Sequence, residues 1–180
     1  MRTAVKDLEA FLAAFLLTLL AGLNGTGWQR AHPAFAEERG SPLPTALQNP
    51  SFDSGPVTLG WTTHVYGAKA EIAADATVVH DGKQSLRISS SEPSDAALGQ
   101  NLVLPPGKVI RLKGGIKTHD LKGEEGVRVA GTLQIQSLDG SPRVSGRSHF
   151  GTNGWLEESI PFRVPDDGKV RVAVFFVGFG

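Results

Sequence analysis

The chain has 180 residues, with 18 basic and 18 acidic side chains and no cysteine, which is enough for one ordinary domain plus a short appendage. A net charge of zero argues against a nucleic-acid-binding protein, because such proteins carry a basic excess or a basic stripe. The absence of cysteine excludes a disulfide scaffold, a thiolate nucleophile and the common structural zinc sites.

The first predicted element is a secretory signal peptide over residues 1–36. Arg2 and Lys6 precede an apolar run at residues 11–23, which at about 1.5 Å per residue is roughly 20 Å long and too short to cross the ~30 Å hydrocarbon core of a membrane. An Ala-Phe-Ala sequence at residues 34–36 then provides a small–x–small cleavage site. We therefore expect an exported protein, secreted, periplasmic or at the cell surface, with no membrane contact after cleavage. An uncleaved signal anchor is the alternative.

Residues 37–48 hold prolines, a glycine and a cluster of charges, a composition that predicts a tether. Residues 49–180 alternate apolar and polar side chains with a period of two, which predicts half-buried β-strands. The predicted strands span residues 61–66, 76–79, 84–89, 98–104, 108–117, 127–136, 143–150, 156–164 and 170–176. Turn-forming Asp-Gly, Asn-Gly and Pro-Gly pairs separate these runs, and no long run has a helical period. The predicted fold class is therefore all-β, an antiparallel sandwich or barrel.

The start of this predicted domain carries a family resemblance. The sequence NPSFDSG at residues 49–55, followed by Gly60-Trp61, resembles the opening of galactose-binding-like jelly-roll domains. These domains include the carbohydrate-binding modules of xylanases and β-glucanases, and GKQSL at residues 82–86 is similar to the hairpin that follows in them. The resemblance covers residues 48–180. It implies a jelly-roll β-sandwich that binds a polysaccharide or glycan on a concave polar sheet face, without catalysis.

The resemblance also implies a closing strand that carries an aromatic-Asp-Asp-hydrophobic segment. The sequence reaches Phe179-Gly180 without such a segment. We therefore expect either a sandwich without its closing strand or the front part of a longer exported protein, with an attached or strand-donating domain as its partner. The alternative function that follows is a structural or protein-interaction sandwich.

Several side chains have the chemistry that sugar binding requires. Planar polar groups reach hydroxyls in pairs, and an aromatic plate stacks on the C–H face of a pyranose. The candidate ligand-binding residues are Tyr66, Arg128, Gln134, Gln136, Arg147, His149 and Trp155. Arg128, Gln134 and Gln136 form one outward row, and Trp155 follows a turn with polar parity. The alternatives are that the row is only the solvated face of a sheet and that Trp155 is a lid over the sandwich.

The resemblance further implies a structural calcium ion near the opening segment. The candidate ligands are Asn49, Asp53, Asp81 and Lys83. Calcium takes about six to eight oxygen ligands, carboxylates and backbone carbonyls among them. The alternative is that the Asp-Gly pair at residues 81–82 makes an ordinary hairpin turn.

The sequence predicts no catalytic residues. Its five histidines show no metal-binding spacing, and no nucleophile elbow, phosphate loop or dinucleotide fingerprint is present. Adjacent acidic residues such as Glu157 and Glu158 point to opposite faces of a strand, whereas glycoside hydrolysis needs two facing carboxylates. We therefore predict a non-enzyme, with an accessory module of a glycan-active enzyme, a polysaccharide lyase and a glycan esterase as alternatives.

Overall fold

A computed structural model describes residues 42–67, 69–122 and 130–180. Within these ranges every regular element is a β-strand, and no described segment forms a helix that is long and apolar enough to span a membrane. The predicted signal peptide over residues 1–36, residues 37–41 of the predicted tether and Arg128 lie outside the described residues.

The strands follow one another in the order of the predicted alternation. They are β1 (Thr62–Gly67), β2 (Glu71–Asp75), β3 (Ser85–Ser89), β4 (Ser94–Val103), β5 (Val109–Leu121), β6 (Thr132–Ser137), β7 (Arg143–Ser145), β8 (Gly151–Arg163) and β9 (Lys169–Gly178). Of the run predicted over residues 127–136, residues 127–129 lie outside the described ranges, and β6 begins at Thr132.

Two strand predictions are wrong in their bounds. No strand forms over residues 76–79, because β2 ends at Asp75 and the chain then turns. The carboxylate of Asp75 stabilises that turn, since its Oδ1 accepts the backbone N–H groups of Thr77 and Val78 at 2.8 and 3.0 Å. The strand predicted over residues 143–150 ends at Ser145. Beyond it the chain keeps only separate contacts with this part of the sheet, because the Gly146 N–H donates to the Leu133 carbonyl at 2.8 Å and His149 forms an isolated bridge with Gly131.

The strands form antiparallel sheets. A large sheet of five strands has the order β1-β4-β9-β6-β7, while β2 pairs with β3 and β5 pairs with β8. The strand β9 is central in the large sheet, because Val174 lies opposite Leu98 of β4 on one side and Leu133 of β6 on the other. The fully buried Leu98, Leu133 and Val174 line the inner side of that sheet.

The inner side of the large sheet meets the other two strand pairs across one core. The core cluster joins it to β3, β5 and β8 through Leu86, Ile88, Leu112, Ile116, Ile160 and Phe162. Burial of such side chains stabilises a fold by about 1.5–3 kcal/mol each, so this shared core holds the layers together. The prediction of an all-β, antiparallel β-sandwich is confirmed.

The described end of the predicted tether is bonded to the sandwich. Gln100 of β4 accepts the backbone N–H of Gln48 at 2.9 Å and donates to the Gln48 carbonyl at 2.6 Å. The Pro44 carbonyl accepts the backbone N–H of Val103 at 2.9 Å. These bonds satisfy the buried amide of Gln100, which faces the core side of the large sheet.

Candidate functional site

The outer side of the large sheet carries three of the predicted ligand-binding residues, Tyr66, Gln134 and Gln136. Directly opposed residues in an antiparallel sheet point to the same face. Gln136 lies opposite Arg171 and Arg143, and Gln134 lies opposite Ala173 and Ser145. We call this side the polar face, and apart from three small residues its described strand residues are Thr62, His64, Tyr66, Asp95, Asn101, Val103, Thr132, Gln134, Gln136, Arg143, Ser145, Lys169, Arg171, Phe175 and Val177.

The midline of the polar face has small residues. Gly99 lies opposite Ala173, and Ala97 lies one row away on the same strand. All three are buried. None of the three has a side-chain atom beyond Cβ, but larger side chains border them, since Phe175 lies opposite Ala97 and Arg171 lies in the next row of β9. The small residues therefore form a short stretch that solvent does not reach.

Hydrogen bonds within the polar face fix its polar side chains. Gln134 is buried, and its Nε2 donates to Ser145 Oγ at 3.2 Å. Arg171 is buried as well, and its Nε donates to Asn101 Oδ1 at 2.9 Å. Burial lowers the pKa of Arg171, but a guanidinium keeps its charge at neutral pH. These side chains are therefore held in place before any ligand binds.

The β1 margin supplies aromatic side chains. Tyr66 is exposed, and its ring stacks with that of His64 at a centroid distance of 6.3 Å and an interplanar angle of 12°. Burial, and in second place the positive charge of Arg171, hold the pKa of His64 below its usual value of 6.5. The imidazole is accordingly neutral at pH 7, and the charged groups of the face near this margin are Arg171 and Asp95, which lies opposite Tyr66.

Trp155 does not join the polar face. It lies on β8 with the parity of Glu157, opposite to the buried Ile160, so it occupies the outer surface of the other layer. Its indole meets the ring of His80 edge-on at a centroid distance of 4.8 Å and an angle of 69°. His80 Nε2 is in turn 2.6 Å from Glu157 Oε1. The predicted grouping of Trp155 with Gln134 and Gln136 is therefore not what the structure shows.

His149 and Arg147 lie in the segment after β7 and do not join Gln134 and Gln136 on the polar face. His149 is buried, and its Nε2 lies 2.8 Å from Glu158 Oε1 on the inner side of β8. Arg147 is exposed, and its backbone N–H donates to Glu158 Oε2 at 3.5 Å. The imidazole of His149 is thus engaged inside the sandwich, while the guanidinium of Arg147 is at the surface.

Three of the four predicted calcium ligands, Asn49, Asp53 and Asp81, accept backbone N–H groups, and the fourth, Lys83, donates its N–H to Asp53. Asp53 Oδ1 accepts the N–H groups of Lys83 and Gln84 at 2.7 and 3.1 Å, and the bond from Lys83 is the main cause of the lowered pKa of Asp53. Asn49 Oδ1 accepts from Ser54, and Asp81 Oδ1 accepts from Gly82. The described residues contain no group of at least three His, Cys, Asp or Glu side chains suited to a metal ion. Hydrogen bonding therefore accounts for Asp53 without an ion, and calcium binding stays a prediction.

Sequence reasoning missed the residues that β4, β7 and β9 contribute to the polar face. Asn101, Arg143 and Arg171 were not among the candidates. A signal was available for Arg171, because Lys169, Arg171, Ala173 and Phe175 alternate with the buried valines of β9. The missing information was that β9 pairs with β6, which puts Arg171 opposite Gln136.

The comparisons with known proteins concern the fold. No protein-family model and no curated protein sequence matches the chain. The enzymatically active domain of tailspike protein 4 from bacteriophage CBA120 is similar, with a TM-score of 0.55 and 14% identity, over 74% of this chain and 19% of that chain. A structure of carbohydrate-binding modules from the β-sandwich superfamily aligns with a TM-score of 0.39 and 16% identity, over 67% of this chain and 52% of that chain. The first likeness shows the fold alone, and the second is too distant to support an argument.

Proposed function

We propose that this protein is a non-catalytic module that binds a polysaccharide or glycan on the polar face. The observation that carries the proposal is the row in which Gln136 lies between Arg143 and Arg171, beside a midline of small residues. Amide and guanidinium groups donate and accept hydrogen bonds in fixed planes, which suits the paired hydroxyls of a sugar.

Pre-formed hydrogen bonds favour binding on this face. The bonds between Gln134 and Ser145 and between Arg171 and Asn101 hold the polar groups in one arrangement. Less side-chain entropy is then lost when a ligand binds. Tyr66, exposed at the β1 margin, offers a ring on which a pyranose could stack. The face thus combines both kinds of contact that glycans use.

The arrangement of carboxylates supports binding rather than hydrolysis. Among the described strand residues of the polar face, Asp95 is the one carboxylate, whereas glycoside hydrolysis uses two that face each other. The tailspike domain of similar fold is described as enzymatically active, but this chain covers 19% of it. Turnover of a polysaccharide by the purified chain would contradict the proposal.

The direct test is a glycan array followed by titration calorimetry with the purified chain. We expect Gln136→Ala to lower the affinity for the glycan about fivefold, since a typical hydrogen bond contributes about 1 kcal/mol. Ser159→Ala is the matched control, because Ser159 is exposed on the outer side of β8. If no glycan binds, or if both variants weaken binding equally, the proposal is wrong.

Export of the protein belongs to the same proposal and rests on the sequence of residues 1–36. N-terminal sequencing of the protein recovered outside the cytoplasm is expected to begin at Glu37. Recovery of the uncleaved chain in the membrane fraction would instead support the signal-anchor alternative.

A second candidate function is strand addition by another protein along β1. The strand β1 is an edge of the large sheet, and Val65 and Tyr66 on it are exposed. An open edge offers unpaired backbone groups to a further strand. Light scattering of the purified chain tests for self-association by this route: an oligomer that Val65→Lys converts to a monomer would support it, and an oligomer that Val65→Lys leaves intact would contradict it.

A further inference from the structure

The outer side of the β5–β8 pair has an irregularity at Trp155. The register of the pairing shifts between Ile116 and Thr118 of β5. Over this shift, Gly154 and Trp155 of β8 together face the single residue Lys117. This is a β-bulge, and bulges re-aim side chains and are frequent beside functional sites. Trp155 therefore stands where the chain departs from regular pairing, on the side of the sandwich opposite the polar face.

The imidazole of His80 lies flat on the sheet beside this bulge. Its Cδ2, Cγ and Nε2 atoms are 3.1, 3.3 and 3.3 Å from the position that a Cβ on Gly115 would occupy. Nearly equal distances to three bonded ring atoms mean that the face of the ring, and not its edge, covers the glycine. His80 Nε2 also lies 2.6 Å from Glu157 Oε1, and Glu157 is the residue opposite Gly115. A glycine below and a carboxylate beside it therefore fix the orientation of the ring.

The indole of Trp155 stands upright against this ring. The two ring planes are inclined by 69° and their centroids are 4.8 Å apart, so the flat His80 ring meets the indole with its edge. His80 approaches from the side of Glu157, which follows Trp155 along β8. The other face of the indole points away from His80, toward Gly154 and the start of the strand. One face of the indole is therefore supported by a neighbouring ring, and the other is not covered by it.

The space beside that second face is open. Within the described ranges, no atom outside residues 153–155 comes within 4 Å of a Cβ position on Gly154. Polar groups surround the indole, since Thr152 and Glu157 are exposed and Lys117 is partly exposed. A pyranose has an apolar C–H face that stacks on an aromatic ring and a rim of hydroxyls that need donors and acceptors. An upright indole with an open face and a polar border matches that chemistry.

We propose that Trp155 forms a second glycan-binding site, in which one sugar ring stacks on the indole face directed away from His80 and lies over Gly154. The hydroxyls of the sugar are within reach of Thr152 and Lys117, which border the bulge. This inference goes beyond the proposed function, because the site is on the other layer of the sandwich and uses none of the residues of the polar face.

Tryptophan fluorescence and titration calorimetry of the full chain test the site with cellohexaose, xylohexaose, mannohexaose and chitohexaose. We expect at least one of them to change the emission of the wild type, and this change to be lost in Trp155→Ala. The affinity of Trp155→Ala for that oligosaccharide should be at least tenfold lower, equivalent to about 1.4 kcal/mol. Binding of all four that is independent of Trp155, or no binding of any of them, would overturn the inference.

A second variant blocks the site without removing the indole. Gly154→Val places methyl groups where the sugar ring would lie, and its backbone is not in the left-handed region, so a β-branched residue suits the strand. We expect an unfolding free energy close to that of the wild type and at least tenfold weaker binding. Ser159→Val is the matched control, because Ser159 is exposed on the outer side of β8, about 16 Å further along the strand. Equal binding by the two variants would overturn the assignment.

The outcomes separate this inference from the proposed function. Binding that Gln136→Ala weakens and Trp155→Ala does not would keep the polar face as the site and overturn the inference. Binding that Trp155→Ala weakens and Gln136→Ala does not would support the second site and contradict the polar face. Two binding events per chain, each lost in one of the two variants, would support both proposals.

Discussion

Two neighbouring glutamates of β8, Glu157 and Glu158, each pair with a histidine from another part of the chain. The two pairs have the same chemistry, but one is exposed to solvent and the other is buried. His149 Nε2 lies 2.8 Å from Glu158 Oε1 on the inner side of the strand, and the two side chains are 9% and 10% exposed. His80 Nε2 lies 2.6 Å from Glu157 Oε1 on the outer side, and the two side chains are 23% and 57% exposed. Because consecutive strand residues point to opposite faces, one step along the chain changes the environment from core to solvent.

The difference shows that burial, rather than the partners, determines what such a pair contributes. In solvent, an ion pair is screened and gains at most about 1 kcal/mol. In the core, removing one partner leaves the other without its hydrogen bond, which costs more because water cannot replace it. The buried pair is therefore expected to stabilise the fold, whereas the exposed pair positions His80 beside Trp155.

The largest effect is expected when the buried pair is broken. Glu158→Ala should lower the free energy of unfolding by about 2–3 kcal/mol, because His149 loses its partner and a cavity forms in the core. Urea denaturation followed by circular dichroism measures this change. Glu158→Gln, which keeps a hydrogen-bonding group, is the control and should cost less. A loss below ~0.5 kcal/mol for Glu158→Ala would mean that burial does not distinguish the two pairs.

The next largest loss of stability is expected from a change in the loop between β2 and β3, which contains His80. Gly82 has a φ of +77°, and a Cβ there would overlap the Asp53 carboxylate. Gly82→Ala should therefore lower the free energy of unfolding by about 2 kcal/mol through backbone strain and steric overlap. Gly107→Ala is the control, because Gly107 has a φ of +69° but nothing within 4 Å of its Cβ position. Equal losses in the two variants would assign the whole effect to the backbone angle.

Breaking the exposed pair is expected to change stability very little. Glu157→Ala should lower the free energy of unfolding by less than about 0.5 kcal/mol, since the pair is screened by solvent. Its clearer effect should be on Trp155 fluorescence, because His80 loses the carboxylate that holds it against the indole. A stability loss as large as that of Glu158→Ala would refute the comparison.

The smallest change in stability is expected from His64, a histidine that lies near the positive charge of Arg171. The folded-state pKa of His64 lies below its usual value of 6.5, through burial first and the charge of Arg171 second. The unfolded chain therefore binds more protons between the two values, so the stabilisation is complete above pH 6.5 and declines as the pH falls toward the folded-state pKa. We expect urea midpoints of the wild type to fall more steeply across this window than those of His64→Gln. Identical slopes would contradict the direction of the shift.

Much of the fold could be predicted because the alternation of apolar and polar residues can be read within the sequence of one strand, without knowledge of its neighbours. The alternation in β6, β8 and β9 correctly indicated which side of each strand faces the core. It did not indicate that Gln134 and Arg171, on the other side of the large sheet, are buried as well. The strand β2 was missed because its sequence, EIAAD, has alanines where a strand normally carries β-branched or aromatic residues. Residues 76–79 look more strand-like, but the Asp75 carboxylate caps a turn there.

The site was harder to predict because it depends on which strands are neighbours. The alternation put Gln134 and Gln136 on an outer face, but it could not reveal Arg143 and Arg171 as their neighbours on other strands. Trp155 had the expected outward parity, yet it belongs to the other layer of the sandwich. The pairing of His149 with Glu158 likewise arises when a loop after β7 folds back against β8.

The central position of β9 also affects the order of assembly. The large sheet has β9 between β4 and β6, although β9 follows all the other described strands in sequence. Neither of those neighbours is fully paired until the residues of Lys169–Gly178 are available. Such distant pairings are slow to form, so this sheet is expected to remain largely unfolded until β9 has been synthesised. An unfolded chain of that kind is also one that an export channel can still carry.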